Sequence, residues 1–127
     1  MKSAIVKGKA FWEVDRSGVK HLYFVLSEPN IDDRVLVVNI TDASGVPAGR
    51  DKSCVLNLGE HPAITKKSVA YYFRAIELNA SAIISEINKK GINQVEDLSE
   101  STLKKIQDGA KRSPLLPNKL KKYFDNF

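Results

Sequence analysis

Apolar and polar residues alternate along much of the first 78 residues, with the period of two that is typical of β-strands. The segment 20–27 places two leucines and a phenylalanine on one face and His21 and Tyr23 on the other. The segment 34–41 repeats the pattern, so we expect the two segments to form paired strands. Further strands are predicted at 5–14, 53–59 and 68–78, the last with a break near residues 73–75.

The period changes to that of a helix after residue 78. Isoleucines recur three and four positions apart, and Asn79 or Ser81 is suited to cap the first helix. Glycine and proline mark the ends of helical segments, because glycine terminates helices readily and proline cannot continue them. We therefore expect three helices: from Asn79 to Gly91, from Ser99 to the residue before Pro114, and from Asn118 to Phe124.

Short strands in hairpin order, followed by helices, predict a mainly β protein with C-terminal helices. Five or six such strands form a small closed or half-closed barrel most simply, because closure removes the exposed edges of a sheet. The length of 127 residues is that of one domain. We expect a single domain over 1–127, made of a barrel at 5–78 and a helical C-terminal extension at 79–127.

Composition indicates in which cellular compartment the protein acts and which class of partner it binds. Cys54 is the only cysteine, so we expect neither a disulfide within the chain nor a cysteine zinc site. The sequence shows no signal peptide and no run of 18 apolar residues, which favours a cytoplasmic protein that does not span a membrane. The net charge of +5 favours a polyanionic partner such as nucleic acid, although an ordinary solvated surface would also account for it.

Two histidines are the first candidates for acid–base chemistry. The sequence has no glycine-rich phosphate loop and no metal-ligand spacing, so no cofactor and no metal are expected. In RNA cleavage, His21 or His61 would take a proton from a ribose 2′-hydroxyl while another group protonates the leaving oxygen. The plainer interpretation makes both histidines surface or capping residues.

Further candidates lie between residues 65 and 74. A lysine at position 66 or 67 would stabilise charge on a phosphate, and Ser68 would help to position it. In a regular strand, Tyr72 shares a face with Ser68 and Arg74 and would stack on a base. The plainer interpretation leaves Lys66 and Lys67 solvated and needs no ligand for Tyr72.

Five segments follow one another in a recognisable order: GKAFWEV, KHLYFVLSEP, RVLVVNIT, CVLNLGEHP and SVAYYFRAIEL. Over about residues 5–90, this series resembles the strands of the PemK/MazF family of toxin–antitoxin ribonucleases. The resemblance implies an SH3-like β-barrel, usually dimeric, that cleaves single-stranded RNA without a metal. It also implies inhibition by a cognate antitoxin.

The catalytic positions of that family carry over in part. Thr41 in VNITD falls where the family places its catalytic Thr or Ser. His21 falls where the family has the arginine of an Arg-Pro pair, so a histidine replaces a residue of acid–base and phosphate chemistry. The GEHP segment around His61 and the helical extension beyond Gly91 have no counterpart in the family pattern, which indicates a divergent member.

These observations predict the toxin of a type II toxin–antitoxin system, a metal-independent endoribonuclease whose partners are RNA and a cognate antitoxin, with a homodimer as a further option. Two alternatives stay open: a non-catalytic barrel that binds nucleic acid or a protein partner, and an unrelated enzyme on the same barrel. The predicted catalytic residues are His21, Thr41, His61 and Ser68, and the predicted substrate-binding residues are Lys66, Lys67, Tyr72 and Arg74.

Overall fold

A computed structural model describes residues 5–45, 51–90 and 94–127. Its strands belong to one sheet, and its helices follow or interrupt them. The strands are β1 (Ala10–Val14), β2 (Lys20–Val25), β3 (Arg34–Asp42), β4 (Val55–Leu56), β5 (Ser68–Ala70), β6 (Ile76–Asn79) and β7 (Gln94–Val95). The α-helices are α1 (Ala80–Lys90) and α2 (Glu100–Arg112), and short 3-10 helices lie at Ala43–Gly45, Tyr72–Arg74 and Asn118–Asn126.

Every strand pair in the sheet is antiparallel, and the strand order is β4-β5-β3-β2-β1-β7, with β6 also paired to β3. The prediction of a mainly β protein with C-terminal helices is confirmed. Within the described residues the pairing does not join β4 to β7, so the sheet is not closed there. The two-residue strand β7, which lengthens the sheet beside β1, was not predicted.

Strand β3 is the centre of the sheet, and its residues from Val35 to Ile40 are all buried. Alternate residues of β2 and β3 contribute to two separate apolar clusters on the two faces of the sheet. We call the face that carries Leu22, Phe24 and Val38 the inner face, and the face that carries Tyr23 and Val37 the outer face. The predicted pairing of β2 with β3, and the predicted sorting of their side chains between two faces, are confirmed.

The predicted break in the last strand is also confirmed. Residues 68–79 form β5 and β6 with the Tyr72–Arg74 3-10 helix between them, and both strands pair with β3. A 3-10 helix turns side chains by about a third of a circle per residue, unlike the half turn of a strand. Side chains after Tyr72 therefore point elsewhere than a regular strand would direct them.

Helix α1 covers part of the outer face, where Ala80 and Ile83 pack beside Val25 and Val35. Its predicted cap is confirmed, because Asn79 Oδ1 accepts a hydrogen bond of 2.9 Å from the amide of Ala82. The predicted end of this helix at Gly91 lies outside the described residues.

Helix α2 and the Asn118–Asn126 3-10 helix cover the inner face, where Ile106, Leu120 and Tyr123 join the larger apolar cluster. Helix α2 begins as predicted, since the Ser99 hydroxyl accepts a hydrogen bond from the amide of Thr102. The predicted third helix is present as a 3-10 helix. Residues 100–126 therefore complete the core of the sheet. Among the described residues, no helix is both long enough and apolar enough to cross a membrane.

Candidate functional site

The turn between β1 and β2 holds His21 beside a carboxylate. His21 Nε2 lies 2.8 Å from Asp15 Oδ2. The other carboxylate oxygen of Asp15 accepts hydrogen bonds from the amide and hydroxyl of Ser17 and from the amide of Val19. These bonds are typical of an Asx turn, and Gly18 adopts the positive φ of 88° that closes it. The turn therefore fixes the carboxylate that orients His21.

The hydrogen bonds decide the protonation of this pair. The Ser17 hydroxyl, then His21 and the Val19 amide, hold the pKa of Asp15 well below its usual range, so its carboxylate is ionised at neutral pH. A carboxylate only accepts hydrogen bonds, so the proton of this contact is on His21 Nε2. In the neutral ring, Nδ1 then carries the lone pair, as a general base requires.

The strand register brings Thr41 to the same end of the sheet. The β2–β3 ladder pairs Leu22 with Ile40, and β2 runs antiparallel to β3, so His21 and Thr41 come one residue beyond this pair on the outer face. On the other side of β2, His21 pairs with Glu13 of β1. The strand register thus places the two residues that the resemblance marked as catalytic at the same end of the sheet.

Tyr23 is the next outer-face residue of β2, and its ring centroid lies 6.3 Å from that of His21. Burial, followed by the charges of Glu13 and Asp15, raises the pKa of Tyr23, and the Arg74 guanidinium acts against this rise. The predicted residue Arg74 is exposed and lies within electrostatic reach of this hydroxyl. We call Asp15, His21, Tyr23, Thr41 and Arg74 the turn-end cluster.

The predicted exposure of Tyr72 is corrected by the structure. Tyr72 is fully buried, and its hydroxyl donates a 2.7 Å hydrogen bond to the carbonyl of Ile106. Burial also raises its pKa. Tyr72 points to the inner face, as Ser68 and Ala70 of β5 do, and the 3-10 helix leaves its neighbour Phe73 51% exposed.

His61 is buried within the protein, with 3% of its surface exposed. Its Nδ1 accepts a hydrogen bond from the amide of Ala63, and its Nε2 lies 2.6 Å from the carbonyl of Glu96. The first contact requires an unprotonated Nδ1 and the second a protonated Nε2, which together define one neutral tautomer. Both ring nitrogens bind backbone, so we do not include His61 in the proposed site.

Two of the remaining predicted residues, Lys66 and Ser68, lie on the inner side of the same sheet end. A cavity of about 210 Å³ opens there, and its lining includes Lys66, Ser68 and Thr41. The Ser68 hydroxyl donates to the carbonyl of Lys66, and Lys66 Nζ lies 3.1 Å from Asp42. Lys67 is exposed and is not among the residues that line this cavity.

Three functional candidates were missed at the level of sequence. Asp15 could have been recognised from the Asp-x-Ser pattern of an Asx turn shortly before His21. Trp12 and Lys20 also line the cavity, and Lys20 Nζ lies 5.8 Å from the centroid of the Trp12 ring. Trp12 pairs with Leu22 in the β1–β2 ladder. Lys20 lies two residues before Leu22 on β2, so Trp12 and Lys20 are neighbours on the inner face.

Within the described ranges, no group of three or more His, Cys, Asp or Glu side chains converges as a metal site would require. Comparison of the chain with protein-family models and with curated proteins finds no significant match.

Proposed function

We propose that this protein is a metal-independent endoribonuclease that cleaves single-stranded RNA at the turn-end cluster, with His21 as the general base. The observation that supports this most directly is the 2.8 Å contact between His21 Nε2 and the ionised Asp15. The carboxylate fixes the ring orientation and leaves Nδ1 to accept a proton. No described residue hydrogen-bonds Nδ1.

The proposed reaction is an internal transesterification of RNA. His21 Nδ1 accepts the proton of a ribose 2′-hydroxyl, and the 2′-oxygen attacks the adjacent phosphorus as the bond to the 5′-oxygen breaks. Tyr23 donates its proton to that leaving oxygen, since its raised pKa keeps the phenol protonated at neutral pH. The products are a 2′,3′-cyclic phosphate and a 5′-hydroxyl, and no external oxidant, reductant or water is needed.

Two further residues of this end supply contacts to the substrate. The exposed Arg74 guanidinium would neutralise charge on the phosphate during the reaction. Phe73, in the same 3-10 helix, offers an exposed ring on which a base can stack. The Thr41 hydroxyl, next to His21 on the neighbouring strand, would hold a phosphate oxygen.

The wider biological role rests on the resemblance to the PemK/MazF family. We infer on that ground a toxin of a type II system that acts in the cytoplasm and is inhibited by an antitoxin, with an SH3-like barrel and a homodimer as in the family. The continuous antiparallel sheet of short strands supports the barrel. Growth arrest on induced expression, relieved by the His21→Ala substitution, would test the toxin role.

The catalytic proposal is tested by cleavage of a fluorescent single-stranded RNA in the presence of EDTA. His21→Ala should lower the rate by about 10²- to 10⁴-fold, the usual contribution of a general base. Tyr23→Phe should lower the rate by a similar order, while the cyclic phosphate detected by mass spectrometry is retained. Lys121→Ala, an exposed change on the C-terminal 3-10 helix, is the control and should leave the rate unchanged.

A folded His21→Ala protein that cleaves at the wild-type rate would remove His21 from the mechanism. Circular dichroism of each variant verifies folding. If the wild-type protein binds RNA but leaves it intact, the alternative of a non-catalytic nucleic-acid-binding module gains support. The observation that favours this alternative is the lysine-containing cavity on the inner face, whose lining includes no histidine.

A further inference from the structure

We propose that the cavity lined by Trp12, Lys20, Lys66 and Ser68 is a subsite for one nucleotide, which holds the base and phosphate adjacent to the cleaved bond. This inference rests on the proposed ribonuclease function in one respect, that the bound nucleotide belongs to an RNA strand. The nucleotide-binding property itself does not depend on cleavage. We call this cavity the nucleotide cavity.

The size and lining of the nucleotide cavity suit a single nucleobase. Its volume of about 210 Å³ is smaller than the roughly 300–1,000 Å³ of pockets that enclose drug-sized ligands. Leu22, Ile40 and Ile64 contribute apolar lining, and Lys20, Asp42 and Lys66 contribute charged groups. A small cavity that combines apolar and charged lining suits a flat ring that carries a phosphate better than an extended polymer segment.

Trp12 provides the stacking surface in this cavity. Its side chain is half-buried and packs against the main core, so the indole is held in one place. Lys20 Nζ lies 5.8 Å from the ring centroid, a cation–π distance. A cation–π contact is weak at an exposed site, so a phosphate can draw the ammonium away and leave the ring for a base.

The second cation of the nucleotide cavity is held by a carboxylate. Lys66 Nζ lies 3.1 Å from Asp42 Oδ2, and the Lys66 side chain is 69% exposed. The Ser44 amide, then its hydroxyl and Lys66, lower the pKa of Asp42, so the carboxylate is ionised. Lys66 is therefore kept at the cavity but partly neutralised, which limits its attraction for an anion until a phosphate competes with Asp42.

The position of the nucleotide cavity connects it to the turn-end cluster. Lys20 and His21 are consecutive residues of β2, so their side chains point to the inner and outer faces of the same strand end. Thr41 lines the cavity and follows the β3 residue that pairs with Leu22. A strand of RNA that crosses this end of the sheet would place one phosphate at His21 and the neighbouring base over Trp12.

Intrinsic fluorescence gives a direct test, because Trp12 is the only tryptophan of the chain. We expect uridine and cytidine 5′-monophosphates, or their purine counterparts, to quench this fluorescence in a saturable way that weakens with salt. Inorganic phosphate alone should compete only weakly, since it lacks the stacking group. The matched measurement uses Lys121→Ala, which should bind like the wild-type protein.

Substitutions at the two lysines and at Asp42 should change nucleotide binding in opposite directions. Lys20→Ala and Lys66→Ala should each weaken nucleotide binding by about tenfold, because each removes a charge-assisted contact to the phosphate. Asp42→Asn should strengthen binding severalfold, because it releases Lys66 and removes a negative charge. A cavity with a merely structural role would give no increase for Asp42→Asn.

The proposal is overturned if none of the four mononucleotides quenches Trp12, or if inorganic phosphate quenches it as strongly as they do. It is also overturned if both lysine variants, shown to be folded by circular dichroism, bind normally. His21→Ala should leave this binding unchanged while it abolishes cleavage. Loss of cleavage chemistry and loss of the nucleotide cavity are therefore separate results, and failure of either proposal is recognised independently.

Discussion

The two faces of the sheet differ in how completely their polar groups are satisfied. On the inner face, the buried Tyr72 hydroxyl bonds to Ile106 of α2, and the Tyr123 hydroxyl donates to Glu77. On the outer face, Asn39 is buried with its Oδ1 unpartnered among the described residues. His21 and Thr41, on the same face, are only half-buried. Away from the nucleotide cavity, the polar groups of the inner face thus stabilise the fold, whereas the outer face keeps polar side chains partly accessible.

The largest effect should follow from crowding the inner face at Gly109. A β-carbon at this position would clash with the Tyr72 hydroxyl and lie 2.8 Å from Cys54 Cβ. Gly109→Ala should therefore lower the free energy of unfolding by about 3 kcal/mol, against the gain of roughly 1 kcal/mol that alanine gives in an unhindered helix. Urea unfolding measures this change. Ser85→Ala, at an exposed position of α1, is the control and should be neutral or slightly stabilising.

A stable Gly109→Ala protein would mean that α2 can move away from the sheet without cost. The inner face would then be less tightly packed than the contact of Gly109 with Tyr72 and Cys54 implies.

Removal of the Tyr72 hydroxyl should have the next largest effect on the free energy of unfolding. Tyr72→Phe keeps the ring but leaves the carbonyl of Ile106 without its 2.7 Å hydrogen bond, at a cost of about 1–2 kcal/mol. Phe73→Ala, one residue further on, should leave the free energy of unfolding within about 0.5 kcal/mol and weaken RNA binding instead. Thermal unfolding and RNA titration of both variants separate the two faces. Equal loss of RNA binding in both variants would contradict the assignment of Tyr72 to the core.

The pH dependence of stability should reveal how much Asp15, in the turn between β1 and β2, contributes to folding. The folded-state pKa of Asp15 is lowered, so its ionised form favours folding above its ordinary pKa of 3.8, and this contribution is lost as the pH falls below that value. Asp15→Asn should accordingly destabilise the protein at pH 7 and do so less at pH 2, because the contribution of the carboxylate is lost progressively as the pH falls from 3.8 towards the lowered folded-state pKa. Ser17→Ala, which removes one donor but keeps the charge, should show a smaller loss of the same sign. Equal destabilisation at both pH values would indicate that the charge of Asp15 is not involved.

The smallest effect is expected at Asn39. Asn39→Val removes a buried oxygen that no described residue satisfies and places a good strand former at the centre of the sheet. We expect a gain of up to about 1 kcal/mol in the free energy of unfolding, measured by urea denaturation. A loss of more than 1 kcal/mol would show that this side chain contributes contacts to the fold that outweigh its unpaired oxygen.

The strands, their faces and the helix caps were predictable because they depend on local spacing. Leu22 and Val38 sort to one face by the period of two, and Ser99 caps α2 by its position alone. The two-residue strand β7 was not predictable, since its pairing with β1 depends on a contact distant in the chain. The same holds for the burial of the inner face by α2.

The candidate site was predictable only where strand register determines it. His21 and Thr41 come together because antiparallel pairing relates their positions. Tyr72 was misplaced because the sequence does not show that its face of the strand, shared with Ser68 and Ala70, is covered by α2. The position of His61 was not predictable, because its ring bonds to the carbonyl of Glu96, which lies 35 residues away in the sequence.

The coverage of the inner face by the last helices also determines when this protein can complete its folding. Gln107 donates to the carbonyl of Leu26 across 81 residues, and the amide of Glu28 donates to Asn126. During synthesis, the strands therefore leave the ribosome long before the residues that bury them. Until those residues emerge, the nascent chain exposes the apolar inner face of the sheet, the kind of surface that chaperones bind.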